Sequence, residues 1–384
     1  MSIQRCNNVD DFRRLAKKRL PAPLFHYIDG GADDEVTLKR NTEAFNDISL
    51  IPDGLADVAD LDLKTTILGQ EIDWPVFLAP TGMSRLFHHE GERAAARAAH
   101  KYGTMYSLST LSTVSIEEVG ETTPGPKMFQ IYIHKDRGLT REFIERCKTS
   151  GFSALCLTID TLVAGNRERD LVTGMTMPPK LTLSSLLSFA THWNWAFNYL
   201  THEKFQLANV ADRIESGTNS LVSVVDYLNS QFDQTITWKD AEEFIQAWNG
   251  PFAIKGVMSV ADAKKAVDVG ASAIMISNHG GRQLDGSTAP FDQLPAIAEA
   301  VGGKIEIILD GGVRRGTHVL KALAMGADAC SIGRGYLYAL AAGGQEGVER
   351  ALFRLKSEIE RDMKLMGCSD IKKLTPDKLL KTSG

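Results

Sequence analysis

The stretch SNHGGRQLDG, residues 277–286, places an imidazole (His279) and a guanidinium (Arg282) around two glycines, directly after the apolar run AIMI. A lone histidine is more often structural than reactive. Here its company matters, because Arg282 is suited to holding a carboxylate. Asp160, ending the run ALCLTID, could hold the imidazole in one tautomer and raise its pKa. A base, an orienting carboxylate and an anion clamp are the parts needed to deprotonate an acid bearing an α-hydroxyl. The bland alternative for Asp160 is a helix N-cap. A second constellation lies in GGVRRG (311–316) and IGRG (332–335), where glycines beside an arginine precede helix starts. Exposed backbone N–H groups and a positive helix end favour a phosphate there, although tight turns alone also call for glycine.

These residues need a scaffold that brings them together. Short apolar runs recur as PVFLAP (75–80), MYSLST (105–110), KMFQIY (127–132) and ALCLTID (154–160), then FAIKGV (252–257), AIMISN (273–278), EIILDGG (306–312) and ACSIGR (329–334). Between many of them lie stretches of helical spacing, such as LTREFIERCKTSG and GTHVLKALAMG, several closed by glycine. Near-continuous apolar strands alternating with amphipathic helices predict a parallel sheet covered by helices, and eight such units predict an α/β fold of the (β/α)8 TIM barrel type. An N-terminal helical segment precedes it, and the whole of residues 1–384 reads as one domain. In such a barrel the C-terminal ends of all strands surround one mouth. Those ends carry Pro80, Thr81, Gly82, Ser109, Gln130, Tyr132, Thr158, Asp160, Lys255, Ser277, His279, Asp310, Gly312, Gly333 and Arg334. Lys255, a costly buried cation without an anionic partner, fits either an imine-forming lysine or one that stabilises negative charge on a reduced flavin.

Other chemistries lack their fingerprints. A net charge of −5 with both signs scattered gives no basic stripe, so no nucleic-acid partner is expected. Five separated cysteines without a CxxC pair suggest neither a disulfide framework nor a zinc site, and a reducing cytoplasmic location follows. No GxGxxG opening a helix after a strand and no GxxxxGK[ST] occurs. No HExxH is present, His88 and His89 read as loop or surface residues, and no metal is expected.

In order along almost the whole chain, FHYIDGGADDE, LAPTGM, FQIY, LTIDT, IKGV, SNHGGRQLDG, LDGGVRRG and SIGRG resemble the FMN-dependent L-2-hydroxy acid oxidases and dehydrogenases. That family includes glycolate oxidase, flavocytochrome lactate dehydrogenase and mandelate dehydrogenase. The resemblance implies FMN as cofactor, His279 as base with Asp160 as its partner, and Tyr27 and Arg282 holding the substrate carboxylate. It implies Tyr132 on the substrate hydroxyl and Arg167, in GNRERD, over the carboxylate. For the flavin it implies Lys255 facing N1 and O2, with Thr81 and Gly82 near N5 beside Pro80. Ser109, Gln130, Thr158 and Ser277 would bond the ring or ribityl chain, and Asp310 the ribityl hydroxyls. Gly312, Arg314, Gly333 and Arg334 would cradle the phosphate. Gly82 stands where some members carry alanine. Leu111 and Ala164 fall where relatives vary the substrate pocket, with L-lactate the first choice, then mandelate or a longer aliphatic hydroxy acid. A homotetramer is implied by the same likeness.

Residues 161–251 form an insertion after the fourth strand too long for an ordinary connection. Within it, 181–200 lacks Asp, Glu, Lys and Arg, and its eight Ser, Thr, His and Asn residues argue against a spanning helix. An aromatic-rich face (Trp193, Trp195, Phe197, Tyr199) resting in a membrane interface is expected, the alternative being packing on the barrel or a neighbouring subunit. This segment resembles the bacterial respiratory lactate dehydrogenases, which implies quinone or cytochrome as electron acceptor and a peripheral place on the cytoplasmic face of the inner membrane.

Overall fold

The computed structural model describes residues 2–132, 135–175, 180–211 and 233–382. Eight parallel strands close into a barrel: β1 Val76–Thr81, β2 Tyr106–Ser109, β3 Lys127–Ile131, β4 Ala154–Thr158, β5 Phe252–Val257, β6 Ala273–Ile276, β7 Glu306–Asp310 and β8 Ala329–Ile332. Each pairs with its sequence neighbours, and β8 returns to β1. The expected (β/α)8 architecture is therefore what the chain adopts.

The side-chain period of two explains both the barrel and its mouth. On β4, Leu155 and Leu157 face the helical layer, while Ala154 and Cys156 face the interior. The interior core is completed by Phe77, Met105, Met128, Ala253, Ala273, Met275, Ile308 and Ala329, large against small. A hairpin of Thr65–Ile67 and Gln70–Ile72 closes the lower end with Ile67, Leu68 and Ile72. Continuing the inward register upward reaches Ser109, Gln130, Thr158, Lys255, Ser277, Asp310 and Ser331, all buried. The barrel is thus apolar below and polar at its C-terminal rim.

Ahead of the barrel come helices Val9–Arg19, Ala22–Asp29 and Val36–Glu43. In the first, Asn8 caps the N-terminus, acidic residues start it and Lys17, Lys18 and Arg19 end it, complementing the helix dipole. Its buried face of Phe12, Leu15 and Ala16 packs on the final helix, Arg334–Leu365.

The connection from β4 to β5 carries the long insertion, of which residues 176–179 and 212–232 lie outside the described residues. Residues 181–200 form two helices, Leu183–Thr191 and Trp193–Thr201. Their aromatics divide between two faces, one packed on the barrel and one exposed. Trp195 donates its indole N–H to the Leu86 carbonyl at 2.8 Å and stacks on Tyr199, so these two pack inward. Leu183, Leu186 and Leu187, then Trp193, Phe197 and Leu200, follow helical spacing on an exposed face. No helix among the described residues is long and apolar enough to cross a membrane.

The outward core offers a direct check on the barrel's dependence on its helical jacket. Phe129 on β3 is fully buried with edge-on contacts to Phe143 and Phe152. Phe129→Ala is expected to destabilise the protein by about 3–5 kcal/mol, read as a lower denaturant midpoint at unchanged slope.

Candidate active site

At the rim, Asp310 gathers the polar layer. One carboxylate oxygen accepts from Lys255 Nζ at 2.9 Å and from Ser277 Oγ at 2.7 Å, the other from Ser331 Oγ at 2.6 Å. Burial alone would lower the Lys255 ammonium, but Asp310 and Asp160 lift it above its ordinary value. Burial likewise opposes the Asp310 carboxylate, and Lys255 with the two serines holds it below the usual range. Lys255 therefore stays a paired cation, which counts against an imine-forming nucleophile that must be neutral to attack.

His279 stands one turn away, with Nδ1 at 2.9 Å from Asp160 Oδ1. A carboxylate only accepts, so Nδ1 carries the hydrogen and Nε2 keeps a free lone pair. His279 is left-handed at φ 56°, as are Gly280 and Gly281 after it, a conformation that costs a residue bearing Cβ about 1–3 kcal/mol. A Cβ on Gly281 would also lie 2.7 Å from the Leu38 nitrogen, which explains the paired glycines. Asp160 was expected to raise the imidazole pKa. It does pull upward, but burial is the larger effect, and Lys255 and Arg167 add to it, so the net direction is down.

Facing this pair are three groups of mixed origin. Tyr132 follows β3, and burial with Asp160 pushes its phenol upward. Arg282 donates to the Tyr27 and Gly30 carbonyls and lies 5.0 Å from the Tyr27 ring centre. Burial, with Arg167 nearby, depresses its guanidinium to about 9. Among the described residues neither Arg282 nor Arg167 has a carboxylate within ion-pair distance. Tyr27 belongs to helix Ala22–Asp29, which is clamped by Asp29: its buried carboxylate takes hydrogen bonds from Arg13, Arg169 and Tyr338. Burial would raise Asp29, yet these three partners hold it at about 2.

One cavity of about 230 Å³ joins these groups. It is lined by Tyr27, Pro80, Thr81, Gly82, Ser109, Leu111, Tyr132, Ala164, Arg167, Lys255, His279, Arg282, Asp310, Gly312, Arg314, Gly333 and Arg334. The remaining residues singled out from sequence stand just behind. Asp160 backs His279, Ser277 backs Lys255, Gln130 accepts from Ser109 Oγ at 3.0 Å, and Thr158 pairs in register with Lys255. Arg334 departs from the simple phosphate-cradle expectation, because each guanidinium nitrogen already donates to a carbonyl, of Ile28, Gly280 or Gly30. Arg314 is less committed, with one bond to the Val313 carbonyl. Its loop is braced by His318, which accepts from the Arg314 amide and stacks on Phe45.

Sequence reasoning missed Ser331, Gln283, Phe87 and Leu207, which also border the cavity. The inward register from Ala329 was a usable signal for Ser331. Leu207, arriving from the insertion, had none. Buried Gln130 Nε2 and Thr158 Oγ1 have no hydrogen-bond partner among the described residues. Such orphaned groups at a polar rim suit a planar ligand with ring carbonyls and nitrogens, which is the edge an isoalloxazine presents.

Away from this cavity, His88, His89 and Glu90 bring ligand-type atoms within 4.8 Å of one another. The two histidines are half-buried rather than free at the surface. Their rings stack at 4.4 Å and 29°, so their in-plane lone pairs run side by side, and Arg97 already holds Glu90.

Comparison with known proteins agrees with this fold. Residues 16–381 match the family model described as FMN-dependent dehydrogenase. An L-lactate dehydrogenase from Xanthomonas campestris is 42% identical over 372 residues, covering 97% of this chain and 96% of the relative. One from Vibrio cholerae is 41% identical, covering 97% and 98%. Among solved structures, the monotopic membrane protein (S)-mandelate dehydrogenase superposes with TM-score 0.94 at 35% identity, covering 98% of this chain and 100% of that one. A mandelate oxidase superposes with TM-score 0.80 at 34% identity, covering 95% and 96%.

The buried ion pair makes a sharp energetic statement. Asp310→Ala leaves the Lys255 ammonium uncompensated and is expected to cost about 3–5 kcal/mol of stability, whereas the double change Lys255→Met, Asp310→Leu recovers most of it. Denaturant midpoints of the three proteins measure this; an Asp310→Ala variant as stable as wild type would contradict it.

Proposed function

The chain belongs to the FMN-dependent dehydrogenase family, and from that premise we propose that it oxidises an L-2-hydroxy acid, foremost L-lactate to pyruvate, delivering the electrons to a quinone or cytochrome. The observation that carries this reading is the meeting, in one cavity, of an imidazole–carboxylate pair with two arginines that have no carboxylate partner among the described residues. A small organic anion supplies what those arginines lack.

In this reading Arg282, Arg167 and Tyr27 hold the substrate carboxylate, and Tyr132 hydrogen-bonds the hydroxyl. That grip turns the α-carbon toward Pro80, Thr81 and Gly82. Conversion to the 2-keto acid removes two electrons and two protons from the α-carbon and hydroxyl. FMN, when bound, would supply the acceptor for the electron pair and for one of the two protons, leaving the other to His279. His279 accepts a proton at Nε2, and Asp160 stabilises the imidazolium that results. Lys255, kept cationic by Asp310, stabilises negative charge arising across the cavity. Residues fitted to the cofactor are Ser109, Gln130, Thr158, Ser277 and Asp310 at the rim, with Gly312, Arg314 and Gly333 toward its phosphate and Arg334, committed to three carbonyls, shaping the backbone behind them.

Leu111, Ala164, Phe87 and Leu207 form an apolar wall beside these groups, suited to a short aliphatic side chain. The relatives named L-lactate dehydrogenase support lactate first, and the likeness to mandelate dehydrogenase makes mandelate the second substrate to test. The exposed face of residues 181–200, with Trp193 70% and Phe197 64% accessible, supports peripheral attachment at a membrane interface. A monotopic neighbour adds to that support.

Purified protein is expected to be yellow and to bleach anaerobically with L-lactate; absence of bleaching with every L-2-hydroxy acid in a panel would sink the reading. His279→Ala should keep its flavin and lose roughly 10²–10⁴-fold in turnover. Because the imidazole pKa lies below its ordinary value, kcat/KM should hold through neutral pH and fall only as acid protonates His279, with the limb below about 6.5. Replacing Trp193 and Phe197 together by Asp should release the protein from inner-membrane vesicles in a pelleting assay while turnover with a soluble dye persists; undiminished pelleting would rule out this face.

A further inference from the structure

Gln283, two residues beyond the paired glycines, uses its whole side-chain amide on one stretch of backbone. Nε2 donates to the Asp160 carbonyl at 2.9 Å and to the Val163 carbonyl at 2.8 Å, while Oε1 accepts from the Gly165 amide at 3.1 Å. Both amide hydrogens are thus committed, leaving none for a ligand. The two backbones touch at this point: a Cβ on Gly165 would lie 2.2 Å from the Arg282 carbonyl and 2.8 Å from the Gln283 Cα.

We propose that Gln283 is a positioning residue for the oxidation, locking the turn that carries Asp160 and Arg167 against the turn that carries His279 and Arg282. The inference rests on the reading of His279 and Asp160 as base and partner. Three groups that meet the small substrate in that reading, Arg167, His279 and Arg282, and the Asp160 that backs His279, come from two loops, after β4 and after β6. The His279–Asp160 contact alone is a single hinge between them. Gln283 adds three bonds spread over residues 160–165, which fixes the loop's tilt as well as its distance. On its far side the same loop is tied to the N-terminal segment, where Asn166 bonds Asp33 and Arg169 pairs with Asp29 and Glu35. Arg167 is therefore held between two anchors, and loss of Gln283 frees one.

The test uses the full-length flavin-bound enzyme. Gln283→Met keeps the side chain's length and removes all three bonds. Gln283→Glu keeps the acceptor for Gly165 but turns a carboxylate oxygen toward two carbonyls, and it serves if the methionine variant fails to fold. Expected in both are wild-type flavin content and a fall in kcat/KM for L-lactate of about 100-fold, the cost of roughly 1 Å of misplacement. In Gln283→Met, which adds no charge, the acid limb of kcat/KM should also move to lower pH, because Asp160 is the group that lifts the imidazole against burial, Lys255 and Arg167. A purely structural role would not shift that limb.

Unchanged kcat/KM with an unmoved acid limb overturns the inference. So does activity lost only in proportion to flavin. A wild-type enzyme that no L-2-hydroxy acid reduces would remove the functional reading and this inference with it, whereas an active wild type beside unaffected variants removes this inference alone.

Discussion

The structure turns on one buried ion pair. Lys255 and Asp310 lie within 2.9 Å of each other at the top of a closed barrel whose lower interior is lined mainly by apolar side chains. Two charges in such a place are tolerable only when paired and hydrogen-bonded, and Ser277 and Ser331 supply the further bonds. The four residues come from, or directly follow, β5 to β8, so satisfying the pair also fixes the relative height of half the barrel. The remaining strands contribute polar atoms that the protein leaves open, notably on Gln130 and Thr158. One side of the rim is internally satisfied and the other awaits a ligand.

Around this layer the electrostatics lean positive. Arg282, Arg167, Arg314 and Arg334 border the same cavity as the paired Lys255. Burial, with repulsion from Arg167 and Arg334, pushes the Arg282 guanidinium down to about 9. Under the proposed reading, a cofactor phosphate and a substrate carboxylate would relieve that repulsion. His279 experiences the same field. Burial disfavours the imidazolium most, the cations Lys255 and Arg167 add to it, and Asp160 limits the depression.

The insertion after β4 serves two surfaces at once. Leu207 reaches the cavity, and Trp195 and Tyr199 seat the helices on the barrel. The opposite helical faces present leucines, Trp193 and Phe197 to the exterior. A segment anchored by its inner aromatics can hold an apolar outer face without collapsing onto the barrel. The insertion thus contributes both to the cavity lining and to the exposed apolar face.

Much was written in the sequence itself. The eight strands were legible because runs buried on both faces have no competing pattern, and the paired glycines after His279 marked a turn that only left-handed residues can make. Inward-facing polar residues at strand ends follow from the same period of two, which is why Lys255, Ser277 and Asp310 stood out and Ser331 was within reach. What tertiary structure alone decided depends on distance and burial between segments far apart in the chain. Gln283 gained its meaning from Asp160 and Val163, Asp29 from Arg13, Arg169 and Tyr338, and Leu207 from a cavity over a hundred positions removed from parts of its lining. The net downward shift of His279 was likewise invisible, since the neighbouring carboxylate could be named in advance but the competing loss of solvent could not. Residue type and spacing determined the kinds of chemistry available; only folding set the local dielectric and the separations that choose among them.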